Sequence, residues 1–288
     1  MRRDFIINSG LALGAIAIAP SLAFSAKQKN IGLQLYTLRD TFSKDVKGVL
    51  EHVSKSGYKE VETYGFSSEN GFFGTSPKDF KKILSDNGLK ASSGHYDFKS
   101  MIKDNNTDFL KASIECANVI GSEYVVVPWL EESLRSNLDD YKRIAQKINE
   151  AAVLCQQSGL KLAYHNHDFE FVKFGNQTGY DILLQETDKN LVDFELDLYW
   201  AVRSGNDPLQ LFKANSGRFT MWHVKDMDKS KGEWNTEIGE GSIDFKAIFA
   251  ESKLSGMKHF FVEQESNYSP NPTDSIKTSW EKKKKKLI

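Results

Sequence analysis

Four apolar runs in the carboxyl-terminal half of the chain end in residues that can hold a proton or a cation. They are LKLAYHNHDFE (Leu160–Glu170), LVDFELD (Leu191–Asp197), FTMWHVKD (Phe219–Asp226) and HFFVEQE (His259–Glu265). Their donors are imidazoles and carboxylates, a mixture that suits a borderline or hard divalent ion such as Mn, Zn, Co or Mg. The cysteines, Cys116 and Cys155, lie elsewhere, which removes a thiolate site from consideration. Such an ion acts as a Lewis acid on a carbonyl and stabilises the enolate left when the neighbouring proton departs. A glutamate in a partly desolvated pocket can take that proton, and so can one of the paired histidines His165 and His167. Those two histidines share a face if the strand continues through them, because side chains alternate along a strand.

Residues so far apart in sequence meet only if their elements point the same way. Parallel strands do this, because their carboxyl ends share one edge of a sheet or barrel. Four earlier runs complete a set of eight: IGLQLY (Ile31–Tyr36), KEVETY (Lys59–Tyr64), LKASSGH (Leu89–His95) and EYVVVPW (Glu123–Trp129). Amphipathic patterns separate the runs. Residues 45–56 carry Val46, Val49, Leu50 and Val53 on one helical face, and 138–158 carry Tyr141, Ile144, Ala145, Ile148, Ala152 and Leu154. Gly57, Gly88, Gly121, Gly159 and Gly256 fall just before strands, where a helix stop calls for a left-handed residue. The segment Leu33–Asp40 has no glycine, which argues against the phosphate turn of an open doubly wound sheet. Eight strand–helix units without a linker-like stretch predict an α/β fold, a single (β/α)8 TIM barrel over residues 30–288. Its site forms at the carboxyl ends of the strands. Gln34, Tyr36, Arg39, Glu62, His95 and Trp129 then join the candidates, beside Glu195, Asp197, His223, Lys225, Asp226, Glu263 and Glu265.

Composition narrows the function classes. The chain has 288 residues, 40% of them hydrophobic and 27% charged, as an ordinary globular domain requires. A net charge of −1 gives no electrostatic drive toward nucleic acid or an anionic membrane. The run Lys282–Lys286 reads as the solvated end of a last helix. Arg2 and Arg3 precede Phe5 and an apolar stretch from Leu11 to Ala19, and small residues including Ala23 and Ser25 follow. Residues 1–25 therefore read as an export signal of twin-arginine type, and the protein is expected in the periplasm. That apolar stretch is too short for a stable membrane span. Cys116 and Cys155 are expected to be buried free thiols.

The strand ends also carry a resemblance. GLQLYTLRD, LAYHNHDFEF, ELDLYWA, WHVKD, GEGSIDF and FVEQE together resemble the sugar phosphate isomerase/epimerase superfamily with the xylose isomerase-like barrel, over nearly all of the chain beyond the export signal. The resemblance implies one divalent metal held by Asp197, His223, Glu263 and a fourth ligand. Glu170 is the expected fourth, with His165 or His167 as its replacement, because the epimerases' strand glutamate is absent here. YHNH instead resembles the dehydratase and lyase branches.

The implied substrate is a small-molecule sugar, free or oxidised to a keto-sugar. Glu170, Glu263, His167, His95 and Lys225 are the candidate catalytic groups, and Tyr36, Glu62, Trp129, His165 and Trp200 the candidate substrate contacts. Lys225 and Asp226 could also simply pair with each other. Proton return to the opposite face gives epimerisation, transfer to the next carbon gives isomerisation, and expulsion of a β-group gives elimination. A non-catalytic sugar-binding barrel is the alternative from a different class. A nuclease of the endonuclease IV branch fits poorly with the charge balance and only six histidines. Self-association is left open by the sequence.

Overall fold

Eight short parallel strands close into a barrel in the computed structural model, which describes residues 31–286. They are β1 (Gly32–Gln34), β2 (Glu60–Thr63), β3 (Lys90–His95), β4 (Tyr124–Val127), β5 (Lys161–His165), β6 (Val192–Asp197), β7 (Met221–Val224) and β8 (His259–Val262). Each pairs with its sequence neighbours, and β1 closes the ring against β8. The expected export signal, residues 1–25, lies outside the described residues, as does residue 30.

Eight principal helices follow the strands: α1 (Val46–Lys55), α2 (Pro77–Asp86), α3 (Asp108–Ile120), α4 (Leu138–Gln157), α5 (Gly179–Glu186), α6 (Pro208–Ala214), α7 (Phe245–Ala250) and α8 (Pro272–Lys286). The starts of α1, α2, α4, α5, α6 and α7 carry side-chain caps that satisfy otherwise unpaired amides. Asp45 accepts from the Gly48 N–H, Asn137 from the Asp140 N–H, and Thr178 with Asp181 forms a capping box. α4 buries Tyr141, Ile144, Ala145, Ile148, Ala151, Ala152 and Cys155 along one face. Trimming Ile148, which has no exposed surface, to alanine would cost about 2–5 kcal/mol. Gly121 ends α3 at φ 85°, a conformation that penalises any Cβ. Cys116 and Cys155 are free and buried, and burial pushes both thiols up to about 12. No helix of the described residues is long and apolar enough to cross a membrane.

Inside the barrel, Tyr124, Val126, Ala163, Met221 and Phe261 form a small apolar plug. Side chains alternate along a strand, so the next inward position on β5 is His165 and on β7 is His223. The position two beyond Phe261 is Glu263, just past β8. Polar chemistry thus stands directly on an apolar floor. Register then sets which groups are neighbours: Glu195 on β6 lies opposite His165, and Asp197 lies opposite His223. A β-bulge between β2 and β3 passes over Ser92 and brings Ser93 opposite Glu62.

One strand is shorter than its sequence pattern suggests. β5 ends at His165, because Asn166 turns its side chain to accept the Asp197 N–H at 3.0 Å. His167 therefore lies beyond the strand, and a 3-10 turn follows over Phe169–Phe171.

Candidate active site and metal centre

Asp197, His223 and Glu263 come within reach of one cation, with one donor atom from each lying within 4.8 Å of the others. His223 Nδ1 is 2.9 Å from Glu263 Oε2 and 4.0 Å from Asp197 Oδ2. His165 flanks them, its Nε2 3.9 Å from Asp197 Oδ2. Asp197 also caps the turn after β6 by accepting the Trp200 N–H through Oδ1, which leaves Oδ2 buried without a hydrogen-bond partner. Lys225, wholly buried, places Nζ 3.1 Å from Asp197, 2.8 Å from Glu263 and 3.2 Å from Glu265. Burial disfavours its charge, yet these carboxylates outweigh burial and raise the ammonium well above its usual range.

Deeper in the barrel lies a second layer. Glu62 has no exposed surface and accepts from Gln34 Nε2 at 2.6 Å and Ser93 Oγ at 2.7 Å. Its Oε2 also lies 2.6 Å from His223 Nε2 and 3.1 Å from His95 Nε2. Burial opposes ionisation of Glu62, but the two imidazoles overcome it and hold the carboxyl below its usual range. Glu195 Oε2 lies 2.9 Å from His95 Nε2, 3.2 Å from His165 Nδ1 and 3.3 Å from His223 Nε2. Burial, with Glu62 close by, pushes the Glu195 carboxyl up to about 7.

The histidines divide. Burial works against a charged His95, but Glu62 and Glu195 raise it to about 9. His165 and His167 are driven well below the ordinary imidazole range, first by burial and then by neighbouring cations. His95, His165, His167 and Glu263 line a cavity of about 530 Å³ that opens at the carboxyl ends of the strands. Trp129 and Tyr36, exposed to 49% and 40%, stand at its mouth, and Trp200 lines it further in.

Three sequence expectations need correction. Glu170 does not join the carboxylate–imidazole cluster: Oε1 accepts from the Tyr164 hydroxyl at 2.6 Å and Oε2 from the His167 N–H at 2.8 Å. The turn after His165 folds this side chain back against β5, and burial raises its carboxyl to about 7. Glu62 lies beneath the cavity and does not line it, so it is no substrate contact here. Lys225 and Asp226 do not pair. Asp226 points the opposite way and accepts from the backbone N–H groups of Met227, Gly239, Gly241 and Ile243. The sequence placed Glu195, Glu265 and Gln34 among the strand-end candidates without assigning them a role, and it did not single out Ser93. For the first two the period-2 spacing from Asp197 and Glu263 was the available signal.

The residues present fit a divalent ion. Asp197, Glu263 and Glu265 share one buried lysine, and unpaired buried charge is costly. Asp197 Oδ2 makes no hydrogen bond, has Lys225 Nζ at 3.1 Å, and sits beside imidazole and carboxylate donors, a set suited to Mn, Zn, Co or Mg.

Comparison with known proteins agrees with this architecture. The family model for the xylose isomerase-like TIM barrel matches residues 50–284. Inosose dehydratase of Clostridium perfringens is 32% identical over 129 residues, which is 39% of this chain and 43% of that protein. The alignment thus spans less than half the length of that relative. A sugar phosphate isomerase/epimerase from Parabacteroides distasonis superposes with TM-score 0.76 at 27% identity, covering 90% of this chain and 94% of that one. The IolI protein with a bound zinc atom superposes with TM-score 0.70 at 16% identity, covering 90% and 98%. This last likeness speaks for the fold.

Proposed function

We infer the chemistry from one premise: this chain belongs to the xylose isomerase-like TIM barrel family. The reading best supported is a divalent-metal-dependent enzyme acting on a free sugar or keto-sugar by elimination, as a dehydratase or lyase does. The likeness to inosose dehydratase and to a sugar phosphate isomerase/epimerase supports a carbohydrate substrate. Asp197, His223 and Glu263 would hold the ion, with His165 as the fourth ligand in place of Glu170. When bound, the ion supplies Lewis acidity to a carbonyl and its adjacent hydroxyl.

What favours elimination is a pair of imidazoles lining the cavity in unlike surroundings: His95 engaged by two carboxylates, and His167 buried with its Nδ1 unpartnered. His167 is kept neutral by burial and can receive the α-proton at an imidazole nitrogen. His95 is kept cationic by Glu62 and Glu195, which hold Nε2 and leave Nδ1 free to protonate a leaving oxygen. Groups whose pKa values are pushed apart in one site are natural base and acid partners. The α-carbon loses its proton to His167, the electron pair becomes a carbon–carbon double bond, and the β-oxygen leaves with the His95 proton. Trp129 and Trp200 offer faces against which a sugar ring can pack. Lys225 keeps Asp197 and Glu263 supplied with positive charge. The proposed setting is the periplasm, on the strength of Arg2, Arg3 and the apolar stretch after them.

The test is to load the protein in turn with Mn, Zn, Co or Mg and incubate it with inososes and other keto-sugars in D₂O, followed by NMR. Loss of the α-proton together with an unsaturated product is the expected result. Deuterium exchange without elimination would move the assignment to epimerase or isomerase. A bound ion with no exchange on any sugar would favour a binding barrel without catalysis.

A further inference from the structure

We propose that Glu62 is a positioning residue that fixes the tautomer of His223, holding a proton on Nε2 so that Nδ1 is the nitrogen offered to the cation. The inference rests on the metal-site reading above and concerns a side chain outside the proposed ligand set.

The two nitrogens of His223 face different carboxylates. Nδ1 looks toward Glu263 and Asp197, while Nε2 meets Glu62 at 2.6 Å. An imidazole that binds a cation through one nitrogen keeps its proton on the other, and the acceptor there sets both tautomer and ring orientation. Glu62 is itself held on both oxygens. Ser93 Oγ donates to Oε1 and Gln34 Nε2 to Oε2, both within 2.7 Å. The Ser93 contact exists because the β-bulge over Ser92 moves Ser93 into line with Glu62. The His95 ring stacks on His223 with centroids 5.3 Å apart and planes 13° from parallel, and its Nε2 lies 3.1 Å from the same Glu62 oxygen. A carboxylate so fully engaged and without solvent exposure cannot swing toward the cavity. Its effect on a cation held by Asp197, His223 and Glu263 must pass through His223.

The same depth offers a rival arrangement. His95, His165, Glu195 and His223 each present a donor atom within 4.8 Å of the others, as a second ion would need. That ion would take His223 Nε2 for itself and displace the proton that Glu62 receives. The close Glu62 contact on this nitrogen favours the proton.

The experiment uses the full chain loaded with zinc, which is diamagnetic, and compares the wild type with Glu62→Gln and Glu62→Ala. Zinc affinity, stoichiometry and histidine ¹⁵N–¹H long-range NMR are measured, with circular dichroism to confirm that each variant folds. The wild type should bind one zinc per chain and show a slowly exchanging proton on His223 Nε2. Both variants should bind zinc about 10–100-fold more weakly, the range usual for loss of such a partner. The Nε2 proton resonance should shift in Glu62→Gln and exchange rapidly in Glu62→Ala. Wild-type affinity in the folded Glu62→Gln variant would overturn the proposal, as would two zinc ions per chain with no proton on Nε2. Failure of the wild type to bind zinc or any of the other three ions would instead overturn the metal-site reading, and the proposal with it.

Discussion

Lys225 Nζ lies 2.8 Å from Glu263 Oε2 inside the barrel, with Asp197 Oδ2 3.1 Å away on the same ammonium. The chain thus brings its own cation to the carboxylates proposed to hold a metal. Removing one partner from a buried ion pair leaves an uncompensated charge and costs about 3–5 kcal/mol. Lys225→Met is therefore predicted to lower the melting temperature strongly in chelator, and saturating divalent ion should recover part of the loss. Thermal unfolding with and without the ion checks this, and an unchanged melting temperature in chelator would refute it.

Asp197→Asn and His223→Ala should each remove stoichiometric metal and abolish turnover while the barrel stays folded. Elemental analysis beside circular dichroism reads both outcomes. Full metal occupancy in either variant would show that the ligand assignment is wrong.

Glu170 offers a prediction in pH. Its folded pKa is raised to about 7, above the ordinary carboxylate value near 4.5, chiefly by burial. Between those values the folded state binds the extra proton, so this group makes stability fall as pH rises from about 4.5 to 7. Glutamine has the shape of the protonated acid and can still accept from the His167 N–H. Glu170→Gln should flatten that part of the pH–stability curve and be the more stable protein at pH 8, by up to about 3 kcal/mol. Denaturant titrations across the range test it; parallel curves for the two proteins would rule the idea out.

Trp129→Ala should act on binding. The indole stands at the cavity mouth and packs edge-on against His167 with centroids 4.7 Å apart. An aromatic contact of about 0.5–1.5 kcal/mol corresponds to a KM rise of up to about tenfold with kcat little changed. A fall in kcat at constant KM would place the indole's effect in the chemical step instead.

The barrel was legible because its strands are short apolar runs separated by helices of clear period, and glycines mark several of the boundaries. The cluster was partly legible for the same reason: Asp197, His223 and Glu263 each sit at a strand's carboxyl end, and parallel strands gather such ends. The turn after His165 was not. Nothing in YHNHDFE declares that Asn166 will bond to β6 and fold Glu170 back onto Tyr164, since both contacts depend on where neighbouring chain lies. Glu62 was misread for a related reason. Its partners Gln34, Ser93, His95 and His223 come from three strands, β1, β3 and β7, and only the closed ring reveals how deep it sits.

Asp226 commits its carboxylate to four backbone amides, and a Cβ at Gly241 would collide with it. The loop beyond β7 is thereby fastened to the scaffold and owes nothing to whatever molecule enters. A lineage could exchange Tyr36 or Trp129, admit different guests, and inherit the ion-holding base intact.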